Sequence, residues 1–113
     1  MPRPFFENKK CTLAVVNGHK LKLYKIGILA QRIDRTAATV REWESKGIIP
    51  KSEFKDKYGR RLYTQEQIEV IHHYVKRDRV SIGRAFTLTN FSVHCHRAFA
   101  ELHKQYFGGK ENG

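Results

Sequence analysis

The sequence predicts a mainly α-helical domain with a small amount of β-structure. Apolar residues follow helical spacing in several segments after residue 25, which is typical of amphipathic helices. Before residue 25, two short β-like segments flank an Asn17-Gly18 pair, which is the strongest short-range signal for a β-hairpin. A charged stretch over residues 51–61 separates two groups of predicted helices. The length of 113 residues is that of one domain.

Residues 1–24 are predicted to form an N-terminal arm and a β-hairpin. The segment 11–16 is β-branched and apolar, and the segment 20–24 alternates lysine with apolar residues. A two-residue loop places Leu21 opposite Ala14 but leaves Leu13 opposite a lysine, so the apolar faces of the two strands do not match. Either the turn is longer or both faces of the hairpin are partly covered.

Residues 25–80 are predicted to hold two short helices, a basic hairpin and a third helix. The second helix is expected from about residue 37 to residue 46, with Val40 and Trp43 on its buried face. Either Asp34 or Thr36 caps its start. Gly47 is expected to end it in the left-handed conformation, which glycine adopts without steric cost.

The third helix is predicted from a capping box, Thr64-Gln65-Glu66-Gln67, followed by an apolar stripe at Ile68, Ile71 and Val75. The turn of the preceding hairpin is expected at or near Tyr58-Gly59.

Residues 81–113 are predicted to form a C-terminal helical segment and a short mobile tail. Ser81 is a candidate cap for a short helix ending at residue 86 or 88, and Thr89 or Asn90 for a last helix over residues 91–107. The expected apolar face of that last helix takes Val93 or Cys95, Ala98 or Phe99, Leu102 and Tyr106. Four of its aromatic residues either mediate self-association or close the core of the domain: Phe91, Phe99, Tyr106 and Phe107.

The charge of the chain points to a polyanionic partner. Lysine and arginine number 22 against 11 acidic residues, which gives a net charge of +11. Residues 1–50 carry 10 of the basic and 4 of the acidic side chains. A domain with a pI near 10.0 has the electrostatic footprint of a nucleic-acid-binding protein, because cations placed on phosphates release condensed counterions. A basic surface without a partner is the simpler alternative.

Catalytic, metal and membrane functions find little support in the sequence. His94-Cys95-His96 is the strongest metal candidate, but neighbours two apart on a helix point to different faces, so the three cannot converge on one ion. Cys95 is more simply a small core residue. No nucleophile–base set, phosphate-binding glycine loop or long apolar run is present. We therefore expect no enzymatic activity, no cofactor and no membrane contact.

The order of these motifs resembles the winged helix-turn-helix domain of the MerR family. The resemblance covers roughly residues 24–80. Its opening helix is matched by Ile26-Gly27-Ile28-Leu29-Ala30, and its Thr-Leu-Arg-Tyr-Tyr-Glu recognition segment by Thr39-Val40-Arg41-Glu42-Trp43-Glu44. Its Gly-Leu-Leu-x-Pro exit is similar to Lys46-Gly47-Ile48-Ile49-Pro50, and its Gly-Tyr-Arg-Leu-Tyr-Ser return is matched by residues 59–64. Glu42 and Arg60 stand where the family usually has tyrosine.

The resemblance implies binding to double-stranded DNA, with a recognition helix at about 37–46 in the major groove. A basic wing at about 51–61 would lie on the adjacent backbone or in the minor groove. Long dimerisation helices and the effector-binding cysteines of metal-sensing members have no counterpart, so no small-molecule effector is expected. The residues predicted to contact DNA are Arg35, Thr36, Thr39, Arg41, Lys46, Lys55, Lys57, Arg60 and Arg61.

Most of these residues also have a purely structural interpretation. Arg41 faces outward from Val40 and Trp43, so it is either a DNA contact or a solvated charge. Thr36 can cap the helix, bind phosphate, or both. Tyr63 is expected to pack beneath the wing.

The expected function is transcription regulation by a sequence-preferring DNA-binding protein in the cytoplasm, associated with the nucleoid. One helix-turn-helix reads few base pairs, so a dimer or a cooperative array on DNA is expected. One alternative is an architectural factor in recombination, similar to excisionases, or in DNA packaging, similar to small terminase subunits. Another is a protein-binding module that targets a polymerase.

Overall fold

The computed structural model describes residues 4–78 and 85–108, with the side chains of residues 85–88 excepted. Its elements follow the chain in this order: β1 (Thr12–Val16), β2 (His19–Lys25), α1 (Ile26–Ile33), α2 (Ala37–Ser45), β3 (Phe54–Lys55), β4 (Arg61–Thr64), α3 (Gln65–Arg77) and α4 (Ala85–Phe107). The described residues therefore form four helices and one small antiparallel sheet. The N-terminal hairpin and the C-terminal helix that the sequence predicts are both present.

The N-terminal hairpin has the predicted two-residue turn. Asn17 and Gly18 have φ angles of 50° and 83°, and Leu21 lies opposite Ala14 as the turn requires. The mismatch of apolar faces is real, and both faces are partly covered, which was one of the two alternatives. Leu21 and Leu23 are buried on one face, and Tyr24 is buried at the end of the other. Leu13 and Val15, on the same face as Tyr24, are 71% and 69% exposed.

One sheet joins this hairpin to the second hairpin, which the sequence analysis did not foresee. The strand order is β1-β2-β4-β3, and β2 pairs with β4 through Leu23 with Thr64, Tyr24 with Tyr63, and Lys25 with Leu62. Strand β2 runs directly into α1. The sheet therefore fixes the start of α1 beside the β3–β4 hairpin.

The turn between α1 and α2 resolves the question of which residue caps α2. Asp34 ends α1 in the left-handed conformation with φ 57°, so it belongs to the first helix. Thr36 caps α2, because its side-chain oxygen accepts a hydrogen bond from the Thr39 backbone N–H at 3.1 Å. Helix α2 ends at Ser45, and Gly47 follows with φ 74° as predicted.

The C-terminal helices agree only in part with the sequence prediction. The capping box of α3 is present, and Ile68, Ile71 and Val75 are buried. The predicted break before residue 91 is wrong, because α4 is one helix from Ala85 onward. Its apolar residues near the break continue the 3.6-residue period, which outweighs the local capping signals of Thr89 and Asn90. The candidate cap Ser81 and the tail after residue 108 lie outside the described residues.

Helix α4 closes the core of the domain. Phe91, Cys95 and Phe99 are buried in the main cluster, and Leu102 and Tyr106 in a second cluster beneath the sheet. Val93 is 49% exposed, so Cys95 is the core residue of that pair. Three of the four aromatic side chains proposed for self-association are thus buried within the chain, while Phe107 remains 39% exposed.

Trp43 holds α2 against α4 in this core. Its ring meets that of Phe91 edge-on at a centroid distance of 5.1 Å, a geometry that aromatic quadrupoles favour. Val40 is fully buried one turn earlier. Since Val40 and Trp43 face inward, the side of α2 that carries Arg41 faces outward.

Candidate nucleic-acid interface

A groove of about 840 Å³ lies between four segments of the chain. They are the N-terminal arm, the β2–α1 junction, α2, and the end of the β3–β4 loop. The described residues that line it include six cations and no acid: Lys9, Lys10, Lys25, Arg41, Arg60 and Arg61. Its floor is apolar and includes Ile26, Gly27 and Ile28. We call this feature the cationic groove.

Arg41 enters the cationic groove from α2. Its side chain is exposed, and within the described residues its guanidinium has no hydrogen-bond or ion-pair partner. A guanidinium in this state keeps all five donors available to an external acceptor such as a phosphate or a guanine edge.

The β3–β4 loop presents Arg60 to the groove on a turn that hydrogen bonds to Asp56 hold in place. The Asp56 carboxylate accepts hydrogen bonds from the backbone N–H groups of Tyr58 and Arg60, each at 2.9 Å. Gly59 completes the turn with φ 81°. The backbone N–H of Arg60 is the main cause of a pKa of Asp56 below its usual value. Since the turn is held by backbone groups and Asp56, the Arg60 side chain is not needed to form it.

Tyr58 lies at the tip of this loop between two cations. Its side chain is 69% exposed, with the Lys57 ammonium 5.3 Å and the Arg60 guanidinium 5.2 Å from the ring centroid. Cation–π contacts of this length orient both cations at a small energetic gain.

Arg61 occupies the groove wall but is also tied to the protein interior. Its guanidinium forms an ion pair with Glu44, which is only 5% exposed. The Glu44 carboxylate also accepts the Ser52 backbone N–H at 2.6 Å and the Tyr63 hydroxyl at 3.3 Å. Burial by itself raises the pKa of Glu44, but these three donors outweigh it and hold the pKa below its usual range. The network joins α2 to β4, and Tyr63 is fully buried beneath the loop as predicted.

The start of α2 carries three further predicted residues. The Thr36 and Thr39 hydroxyls are 3.1 Å apart, so the cap and the first turn share one polar cluster. The Arg35 guanidinium donates to the backbone carbonyls of Ile33 and Asp34 at 3.3 and 3.0 Å. None of these three residues is among the described residues that line the cationic groove.

The remaining predicted residues also lie outside the cationic groove. Lys46 caps the far end of α2 and forms an exposed ion pair with Glu42 at 2.7 Å. Lys55 is exposed on β3, and Lys57 stacks on Tyr58. The structure therefore brings Arg41, Arg60 and Arg61 together, whereas the other six predicted residues are distributed over α2 and the loop.

The histidine-rich segment of α4 makes three separate contacts. The His94 ring is 2.9 Å from Asp78, and His96 is 2.8 Å from the Gly47 carbonyl oxygen. Cys95 points into the core between them, where burial raises its pKa to about 12. In the part of the chain that the structure describes, no three His, Cys, Asp or Glu side chains form a metal-binding group.

Sequence reasoning missed several residues of this surface. Lys9 and Lys10 precede the predicted helix-turn-helix and Lys25 is its first residue, and none of the three was predicted to contact DNA. Glu44 was matched to the family's recognition segment and was not predicted to be buried. The pairing of β2 with β4 places Lys25 beside the second hairpin, and the packing of Phe6 on Tyr24 holds the arm that carries Lys9 and Lys10, and no local pattern encodes these contacts. The sequence held one weak indication of the Glu44–Arg61 pair, since both residues match segments of the family pattern.

Comparison with known proteins gives one family match, which covers the central residues. Residues 24–77 match the model of MerR HTH family regulatory proteins. No curated protein and no solved structure matches the chain significantly. Among the described residues, no helix is long and apolar enough to cross a membrane.

The two ends of the matched range lie at or next to the ends of structural elements. Residue 24 lies at the end of β2, and residue 77 is the last residue of α3. The range thus includes α1, the tight turn, α2, the β3–β4 hairpin and α3. Residues 24–77 of this chain are therefore a MerR-like helix-turn-helix DNA-binding domain.

Proposed function

We propose that the protein is a non-enzymatic transcriptional regulator that binds double-stranded DNA through α2 and the β3–β4 loop. In this proposal α2 enters the major groove, and the loop is the wing that lies on the adjacent backbone. The observation that carries the proposal is the convergence of Arg41 with Arg60 on one surface, in a groove without acidic residues among its described lining. Such a surface matches the charge of a phosphate backbone.

The two arginines have different roles in this proposal. Arg41 projects from the middle of α2 with all its donors available, so it reads a base edge. Arg60 lies on the rigid loop and contacts phosphate, which sets position rather than sequence. The Thr36–Thr39 hydroxyl pair at the start of α2 offers a donor to a phosphate, while the Thr39 backbone N–H remains bonded to the Thr36 side chain.

Fluorescence anisotropy over a salt series tests the proposal. A preferred duplex is first selected from a random pool, which also reports half-site symmetry and spacing. Arg41→Ala is expected to cost about 1–3 kcal/mol of binding and to relax discrimination at one position. Arg60→Ala is expected to weaken all duplexes alike and to reduce the salt slope by about 0.9.

Arg97→Ala is the matched control, since Arg97 is an exposed arginine on α4 outside the groove lining. The proposal fails if duplex binding is absent at low salt, or if Arg97→Ala weakens binding as much as Arg41→Ala. Footprinting separates a regulator from an architectural factor. A bounded site of one or two half-sites supports regulation, whereas a continuous cooperative footprint favours a role in recombination or packaging.

A further inference from the structure

The N-terminal arm ends in two adjacent lysines that line the cationic groove. Lys9 and Lys10 line this groove together with Arg60 of the β3–β4 loop and with the start of α1. Both precede the matched helix-turn-helix range, which begins at residue 24. The groove therefore has a wall that the helix-turn-helix domain does not supply.

Aromatic contacts hold this arm against the domain. Phe6 packs on the main core with its ring 4.8 Å from that of Tyr24, and Phe5 meets Phe6 edge-on at 5.0 Å. The Arg32 guanidinium lies 5.0 Å from the Phe5 ring centroid. These contacts connect the arm to both β2 and α1.

Polar contacts fix the course of the backbone before the lysines. The Glu7 N–H donates to the Pro4 carbonyl at 3.1 Å, and the Lys9 N–H to the Phe6 carbonyl at 3.2 Å. The Lys9 ammonium also donates to the Gln31 side chain on α1 at 3.1 Å. Because the arm is anchored, the backbone that carries both lysines is already positioned, and less conformational entropy is lost when they bind a ligand.

The charge of the groove lining selects the occupant. The arm and the β2–α1 junction contribute Lys9, Lys10 and Lys25, and α2 and the β3–β4 hairpin contribute Arg41, Arg60 and Arg61. No acidic side chain among the described lining residues offsets them. A continuous row of anions matches these six cations, and a nucleic-acid strand presents its phosphates in that way.

We propose that the N-terminal arm is a second DNA clamp, in which Lys9 and Lys10 bind the sugar-phosphate backbone of the same strand that Arg60 contacts. This inference rests on the proposed function. It extends the DNA-binding surface beyond the helix-turn-helix, and it predicts phosphate contacts without base discrimination.

Salt-dependent binding of the full chain tests the clamp. The double variant Lys9→Ala/Lys10→Ala is compared with Lys20→Ala/Lys22→Ala, which removes the same charge from exposed positions on β2 outside the groove lining. If both arm lysines meet phosphate, the salt slope falls by about 1.8, at about 0.9 for each contact. The loss should be equal for the selected and a scrambled duplex.

An unchanged salt slope in the arm variant overturns the clamp, as does an equal fall in the β2 variant. If Arg41→Ala still weakens binding in that case, the proposed function stands without the clamp. If the wild-type chain binds no duplex at low salt, both fail together.

Cys11 supplies a second measurement on the unmodified protein. It lies in the groove wall directly after Lys10 and is exposed, whereas Cys95 is fully buried and serves as the internal control. Saturating duplex should slow the alkylation of Cys11 by N-ethylmaleimide several-fold, as followed by mass spectrometry. Unchanged alkylation contradicts the clamp. Equal protection by inorganic phosphate also contradicts it, because the groove would then be a site for a free anion.

Discussion

Glu44 is the residue whose environment departs most from its local sequence signal. A glutamate on a short polar helix is normally solvent-exposed, since burying a carboxylate without partners is costly. Here three donors from other segments surround it: Arg61, the Ser52 backbone N–H and the Tyr63 hydroxyl. Its function in the fold is to connect α2 to the strand after the loop. Glu44 therefore links the two proposed DNA-contacting segments, in addition to the core packing of Val40 and Trp43.

We expect the stability of the protein to fall in acid through Glu44. Its folded-state pKa lies below the ordinary value of 4.5. A lowered folded-state pKa contributes stability that is complete above the unfolded-state pKa and is lost as the pH falls through the folded-state pKa. Urea unfolding between pH 6 and pH 3 should show this loss in the wild type and a smaller one in Glu44→Gln. An identical pH dependence in the two proteins would contradict it.

Substitutions of the adjacent residues Arg60 and Arg61 should have different effects on the stability of the protein. Arg61→Ala removes a partner of the buried Glu44 and should lower the free energy of unfolding by about 1–2 kcal/mol, given that Arg61 is itself partly exposed. Arg60→Ala should change it by less than about 0.5 kcal/mol, because the turn uses the backbone of Arg60. Chemical denaturation measures both. Equal stability losses would show that the Glu44 pair contributes little.

At the scale of elements, α2 depends on its cap more than on its intrinsic propensity. It has nine residues, two of which, Thr39 and Val40, are β-branched, and isolated helices of this length are marginal. Its amphipathic packing through Trp43 and its Thr36 cap compensate for this. The same cap sets the backbone at the end of α2 that is proposed to meet phosphate.

Thr36→Ala is therefore expected to lower the free energy of unfolding by about 1 kcal/mol, through the loss of the hydrogen bond to the Thr39 N–H. Ser45→Ala, at the exposed last residue of the same helix, is the control and should be nearly neutral. Thermal unfolding followed by circular dichroism measures both. A neutral Thr36→Ala would mean that solvent satisfies the helix start as well as the hydroxyl does.

At the scale of the whole molecule, one sheet and one long helix hold the helix-turn-helix in place. The β1–β2 hairpin extends the sheet on one side, and α4 packs against α3 and against Trp43 of α2. The flanking segments are thus part of the same folded unit as residues 24–77.

Phe91→Ala should consequently destabilise the entire domain. Phe91 is fully buried against Trp43, and its truncation is expected to cost about 3–5 kcal/mol. Val93→Ala, on the exposed side of the same helix, should cost far less. Urea denaturation provides the comparison. If Phe91→Ala melted α4 alone and left DNA binding intact, α4 would be an independent appendage.

Elements with local signals could be predicted from short stretches of the sequence. The Asn17-Gly18 turn, the helix-ending Gly47, the capping box at Thr64 and the inward phase of Val40 each follow from a few neighbouring residues. Steric limits on φ and the 3.6-residue period act over that same short range. The family resemblance over the central residues rested on these signals.

The way distant segments meet could not be predicted from local patterns. The pairing of β2 with β4, the burial of Glu44 and the shared groove of Lys10 and Arg60 each join residues far apart in the chain. The separate helix expected before residue 91 was wrong for the same reason, since packing of α4 on the core overrode the local capping signals. Non-local contacts arise from the fit of complementary surfaces, and no short sequence pattern specifies that fit.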